Sequence, residues 1–442
     1  MPPVDTAMDF LLNISPLVKL VVIFFLIIVL IRQRLSLGIA LIAGSILLGL
    51  WFRLSPLEIG ASIIGSLSAQ RTVSLCAVVT LILILSHSME KTGQMKRLLI
   101  SFRGIRRNVR LNLAIFPALI GLLPMPGGAI FSAPMVHEIS NRESLSAKHK
   151  TLINYWFRHI WEFSWPLYPG VILTCALSGI DLWAFVLAQF PLTLFAAWIG
   201  YLTQLRSIPI KKHSATSDSN KSLRDFIGEL MPIIFVVAGT VLFGVLIYIA
   251  SIAWPPLRST RKEVPLIAAL IISIAWVWRR NRMAFADMQR TFFNRSLLSM
   301  IFMIAGIMLF QGILEDSRAV SEVSQILASA HVPVILVAMI LPLLVGGITG
   351  ITVAFVGTTF PIIFSLLAEA GMVDQIFAFT ILAFCAGYVG VLLSPLHICL
   401  VLTCSYFKID LARIYPRLLF PCATVAAAGI LSFMVNQFMT NS

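Results

Sequence analysis

The chain has 442 residues, 59% of them hydrophobic and 12% charged, with a formal net charge of +14. That much apolar side chain excludes a soluble globule. The basic residues are spread through short loops between apolar runs, the pattern of cytoplasmic loops, which argues against nucleic acid as a partner. The six cysteines (Cys76, Cys175, Cys385, Cys399, Cys404 and Cys422) stand singly in apolar segments without zinc or redox spacing. They read as small core residues. The first apolar run has no basic stretch before it and no small-residue cleavage site after it, so no signal peptide is expected.

The expected fold is an all-α polytopic membrane protein with about ten transmembrane helices and two re-entrant hairpins. In chain order the crossings fall near 17–31, 36–52 and 72–89. A first hairpin follows at 111–138, then crossings near 150–178, broken by proline, and 182–204. A polar segment, 205–228, carries Lys211, Lys212, Lys221 and Arg224 among serines and threonines and reads as a cytoplasmic linker. The second half runs 229–253, 264–278 and 296–314, a second hairpin at 332–368, then 375–407 and 415–438. With both termini outside, the strongly basic loops fall on the cytoplasmic side. Trp51, Trp183, Trp254, Trp276 and Trp278 fall near predicted span ends, where indoles favour the interface.

The halves, 1–204 and 229–442, share a pattern. Trp165–Asp181 and Ser394–Asp410 align without a gap at Pro, Leu, Leu, Thr, Cys, Ile and Asp. Glu90, Pro117 and Gly121 pair with Glu315, Pro342 and Gly346. The segment after the third crossing is basic, whereas its partner after the eighth is acidic (Glu315, Asp316, Glu322), so equivalent segments are expected on opposite sides. An odd number of crossings per half predicts the same inversion. Inverted repeats with discontinuous helices at mid-membrane are the mark of secondary transporters.

The candidate site residues lie at the breaks. Leu122–Gly128 (LLPMPGG) cannot continue a helix. A re-entrant tip there would aim the amide end of its second arm, near Pro126, Gly127 and Gly128 with Ser132 one turn on, at an anion. A kinked full crossing is the competing reading. In the second hairpin Thr349, Gly350 and Thr352, then Thr358 and Thr359, offer carbonyls and hydroxyls to a substrate or to Na⁺; close packing through small residues is the alternative. Asn154, Arg158 and Glu162 are spaced i, i+4, i+8 on a predicted helix, with His159 beside them. A charge at the bilayer centre costs about 2.5–3.5 kcal/mol, so Arg158 and Glu162 either pair with each other or serve a site. There Arg158 would meet an anion, while Asn154, His159 and Glu162 would hold a coupling ion or relay a proton. Pro166 and Pro169 break the fourth crossing and Pro395 its partner, where Ser394 and His397 are further candidates to hold a coupling ion or relay a proton. His397 either titrates near neutral pH or hydrogen-bonds within the bundle.

The order of spans, the LLPMPGG hairpin, the Gly/Thr-rich second hairpin and the broken WPLYPG helix resemble an uncharacterised prokaryotic membrane family, domain of unknown function 401, over roughly residues 15–435. It is grouped with the ion-transporter superfamily of gluconate, citrate, dicarboxylate and arsenite permeases. The resemblance implies two inverted repeats, a scaffold and a moving transport domain, often a homodimer, and elevator-like transport driven by Na⁺ or H⁺. The Ser-Asn-Thr signature of the sodium–dicarboxylate branch is absent from both tips, which leaves the coupling ion and the substrate open.

The function expected is a secondary transporter of a small carboxylate-type anion in the cytoplasmic (inner) membrane, with no cofactor beyond a coupling ion. A channel or membrane scaffold is the alternative. No HExxH, GxSxG or Walker-type motif occurs, so neither an intramembrane enzyme nor an ATP-driven pump is expected, and too few ligands accompany His159 and Glu162 for a metal site.

Overall fold

The computed structural model describes residues 14–33, 35–105, 108–125, 127–141, 145–208, 223–256, 262–292 and 294–441. The described residues are all-helical apart from turns. The first half contains α1 (Pro16–Arg32), α2 (Leu37–Trp51), α3 (Pro56–Ser68), α4 (Gln70–Lys91) and α5 (Gln94–Ile105). The hairpin arms α6 (Val109–Gly121) and α7 (Ala129–Asn141) follow, then α8 (Ala147–His159), α9 (Pro169–Ser178) and α10 (Leu182–Gly200). The second half repeats this order with α11 (Leu223–Ala253), α12 (Val264–Arg280), α13 (Phe285–Phe292), α14 (Arg295–Asp316) and α15 (Ala319–Ser329). Its hairpin arms are α16 (Val334–Thr349) and α17 (Thr352–Glu369), followed by α18 (Ile376–Leu393), α19 (Ile398–Tyr406) and α20 (Tyr415–Asn441). Most of the linker, 209–222, lies outside the described residues.

Local chemistry explains many boundaries. Ser36, Asn108, Ser146, Asp181 and Asn294 each accept a backbone amide at a helix start. Ser55 and Glu58 close a capping box on α3. Gly179 and Gly350 end α9 and α16 in the left-handed region, at φ 72° and 67°.

By length and composition seven helices among the described residues can cross a membrane. The predicted crossings α1, α2 and α12 are shorter, at 17, 15 and 17 residues. Conversely, α17, expected within a re-entrant hairpin, is 18 residues long and apolar enough to span. Burial sorts the helices. The α18–α19 segment is 83% buried over its most apolar window, whereas that of α11 is 17% buried. The first lies at the centre; the second presents Val245, Leu246, Ile249 and Ile252 outward, a surface suited to lipid.

Packing between the halves is exchanged pairwise. α2 packs on α14, and α12 on α4; α3 meets α14, and α13 meets α4; α1 meets α15, and α11 meets α5. Within each half the first hairpin arm lies on the broken helix, α6 on α8 and α16 on α18. Both contacts depend on glycine at the crossing. A Cβ on Gly121 would collide with the Arg158 carbonyl, and one on Gly346 with the Gly387 carbonyl.

Candidate functional site

Four helices, of which α17 is the longest, begin near one another at the centre. The second hairpin arms and the second halves of the broken helices pair crosswise, α9 with α17 and α7 with α19. A Cβ on Gly170 would strike the Thr352 side chain, and one on Gly127 would sit 3.2 Å from Leu402. The N-terminus of each such helix carries about half a positive charge.

Helix breaks free carbonyls, and the structure supplies donors. At the first tip, where Gly127 has φ 73°, Tyr168 Oη donates to the Gly121 carbonyl at 2.7 Å and Trp165 Nε1 to Leu122 at 2.8 Å. Arg158 Nη2 donates to Met125 at 2.9 Å, and Asn154 Nδ2 to Ala129 at 3.2 Å. These donors come from α8 and the break that follows it. Gly128 makes room for Arg158, because a Cβ there would lie 2.7 Å from Nη2. At the second tip His397 Nδ1 faces the Gly350 carbonyl at 2.9 Å. Gly350 is held close to Ser394 Oγ, which accepts from the Leu396 amide at 3.2 Å. Pro126 lies outside the described residues.

The titratable groups meet between these tips. α8 ends at His159, so Glu162 sits in a tight 3₁₀ turn, Ile160–Phe163. The expected single i, i+4, i+8 face therefore stops before Glu162. Its Oε1 still comes within 3.6 Å of Arg158 Nη1 and 3.8 Å of His159 Nε2. Arg158 Nη1 lies 3.4 Å from His159 Nε2, and His397 Nε2 approaches the same nitrogen to 3.0 Å. His159 Nδ1 is 2.5 Å from the Tyr155 carbonyl, and Tyr388 Oη donates to the His159 carbonyl at 2.9 Å. All these side chains are buried. Arg158 Nε, Trp161 Nε1 and Asn154 Oδ1 have no hydrogen-bond partner, so two donors and one acceptor are left unspent.

The sequence candidates divide. Asn154, Arg158, His159, Glu162, Gly127, Gly128, Gly350, Ser394 and His397 gather around this centre. Pro169 starts α9, while Pro166 and Pro395 lie in the two breaks. Thr349, Thr358 and Thr359 instead give their hydroxyls to their own helix, to the carbonyls of Val345, Ala354 and Phe355, and Ser132 does so to Ala129. Sequence reasoning missed Tyr155, Tyr168 and Tyr388, which read as ordinary apolar positions until the breaks aim them at carbonyls. It also missed Cys399. Donor atoms of His159, His397 and Cys399 lie within 4.8 Å of one another. They come from segments more than 230 residues apart, so no sequence spacing could have joined them.

Arg71 was also missed. Three cavities, of about 580, 360 and 280 Å³, share it as a lining residue. Its Nε and Nη2 lack hydrogen-bond partners, and Gln311 and Glu315 line two of the three cavities with it. A separate cavity of about 460 Å³, lined by His87, Glu90, Lys91, Phe131 and Arg290, lies at the other end of α4. None of these four is lined by Arg158, His159, Glu162 or His397.

No curated protein matches the chain. Among solved structures, the Alcanivorax borkumensis YdaH transporter, described as having an unusual topology, aligns with a TM-score of 0.65 at 13% identity, covering 87% of this chain and 90% of that one. At that identity the likeness concerns the fold alone. Residues 14–436 match the family described as "Protein of unknown function (DUF401)", and the chain belongs to it.

Proposed function

We propose that the protein is a secondary active transporter that carries a small carboxylate-type anion across the cytoplasmic membrane by an elevator-like movement coupled to a cation. One observation carries the reading. A buried arginine with an unspent Nε stands among four converging helix N-termini at two helix breaks. Helix N-termini and a guanidinium are complementary to a carboxylate, and unwound backbone at the centre of an apolar protein is tolerated where it is buried in protein or lines a cavity. The exchanged packing of the two halves supports inverted repeats. In this arrangement α6–α9 and α16–α19 form the moving unit, and α1, α2, α11 and α12 the scaffold. The solved transporter of similar fold supports carrier activity over a membrane scaffold or an intramembrane enzyme.

The test is counterflow of labelled small mono-, di- and tricarboxylates into proteoliposomes. At least one is expected to exchange above empty vesicles, with Arg158→Lys weakening its apparent affinity more than it lowers protein yield, because the planar two-point contact is lost. No exchange across the panel, or an unchanged affinity in the variant, counts against the reading.

A further inference from the structure

We infer that His159 and His397 bind a single proton between their Nε2 atoms, and that this proton is the coupling ion; the second clause rests on the transport reading above. A backbone carbonyl only accepts. His159 Nδ1 faces the Tyr155 carbonyl at 2.5 Å, and His397 Nδ1 faces the Gly350 carbonyl at 2.9 Å. Both Nδ1 atoms therefore carry hydrogen, and in neutral rings both Nε2 atoms present lone pairs, that of His159 also facing Arg158 Nη1 at 3.4 Å. Those two nitrogens are 3.0 Å apart, with ring planes at 72°. Two lone pairs at that separation repel, whereas one added proton converts the contact into an N–H···N hydrogen bond.

The surroundings give the proton a consequence. Arg158 and Glu162 face the pair from α8 and its 3₁₀ turn, Cys399 from α19, and Tyr155 and Tyr388 from α8 and α18. With Arg158 and Glu162 charged, the centre is neutral without the proton and carries one positive charge with it. An anion entering a low-dielectric site is favoured by that extra charge, so anion and proton bind together. The proton also ties elements. It joins the end of α8 to the break before α19, and through His397 Nδ1 it reaches the tip of the second hairpin at Gly350. Loss of the proton turns this tie into a repulsion and releases the tip, a change in the contacts that hold one conformation.

The experiment uses the full-length protein in lipid nanodiscs with ¹⁵N-labelled histidine. The chain has seven histidines, few enough to assign by single substitution. Solid-state NMR should show both Nδ1 atoms of the pair protonated and an N–N coupling across one shared proton, which disappears as pH rises. Two independent rings that each carry Nε2–H overturn the inference. So does capture of both Nε2 signals by added Zn²⁺ at micromolar levels with reversal by a chelator, which makes the pair a metal site. Transport is a separate readout. For a carboxylate that exchanges, apparent affinity should fall about tenfold per pH unit as pH rises through the titration of the pair, since one proton is linked to binding. His397→Gln should flatten that profile; an unaltered profile removes the pair from coupling. If the N–N coupling is present but no carboxylate crosses, the transport reading fails and the shared proton stands.

Discussion

The two broken helices have the same architecture and different chemistry. At the offset that pairs Pro166 with Pro395, Arg158, His159 and Glu162 correspond to Gly387, Tyr388 and Val391, and Tyr168 corresponds to His397. Each helix is crossed by a hairpin arm at a glycine, and in each the residue closing the break donates a side-chain hydrogen bond to a tip carbonyl, Tyr168 to Gly121 and His397 to Gly350. The shared features are those a break requires: room for the crossing and a partner for a freed carbonyl. The features that differ are the charged ones. The first half contributes an arginine and a carboxylate, and the second a histidine that reaches across to His159. Pairing supplies the frame, and asymmetry supplies the candidate site.

That comparison can be broken in several ways. The largest effect is expected from Arg158→Ala. It leaves Glu162 without its guanidinium and the Met125 carbonyl without its donor, at a cost of about 3–5 kcal/mol, and should be read as loss of folded protein in a detergent thermal-melt assay. Next come Gly121→Ala and Gly346→Ala. Each new methyl meets a backbone carbonyl that cannot move aside, so both should lose about 1–3 kcal/mol. A large loss at one and none at the other would show that the two crossings are not equivalent. Tyr168→Phe and Tyr388→Phe follow, each removing a donor from a buried carbonyl for about 1–3 kcal/mol, with Tyr388→Phe also loosening His159. The smallest effect belongs to Thr358→Val, whose hydroxyl bonds within its own helix. It should change stability by about 1 kcal/mol or less and leave the affinity for an exchanged carboxylate unchanged; a specific loss of affinity would bring that hydroxyl into the site.

Much of the frame was legible in the sequence because breaks are local. LLPMPGG and WPLYPG interrupt their helices: the structure stops α6 at Gly121, and α8 ends at His159 with α9 starting afresh at Pro169. The paired prolines Pro117 and Pro342 both fall inside first hairpin arms, and Glu90 and Glu315 both lie in the last turn of long helices. The site was legible in part. Arg158 and Glu162 were conspicuous because charge is costly in an apolar span. The His159–His397 contact was not, because nothing along the chain announces which helix faces which. Nor were Tyr168 and Tyr388, whose rings suit any membrane core and whose hydroxyls acquire meaning once a carbonyl is freed nearby. The hydroxyls of the Gly/Thr stretch could not be placed from the sequence either. Thr349, Thr358 and Thr359 satisfy their hydroxyls one turn back, as threonine does in an apolar helix.

The most direct measurement of the central claim is the current produced when proteoliposomes on a solid-supported membrane meet a jump in small-carboxylate concentration. Wild-type protein should give a carboxylate-dependent current that Arg158→Gln, confirmed folded by its melting curve, abolishes. No current above empty liposomes for any small carboxylate, or the same current in the folded variant, would contradict a carrier built around Arg158.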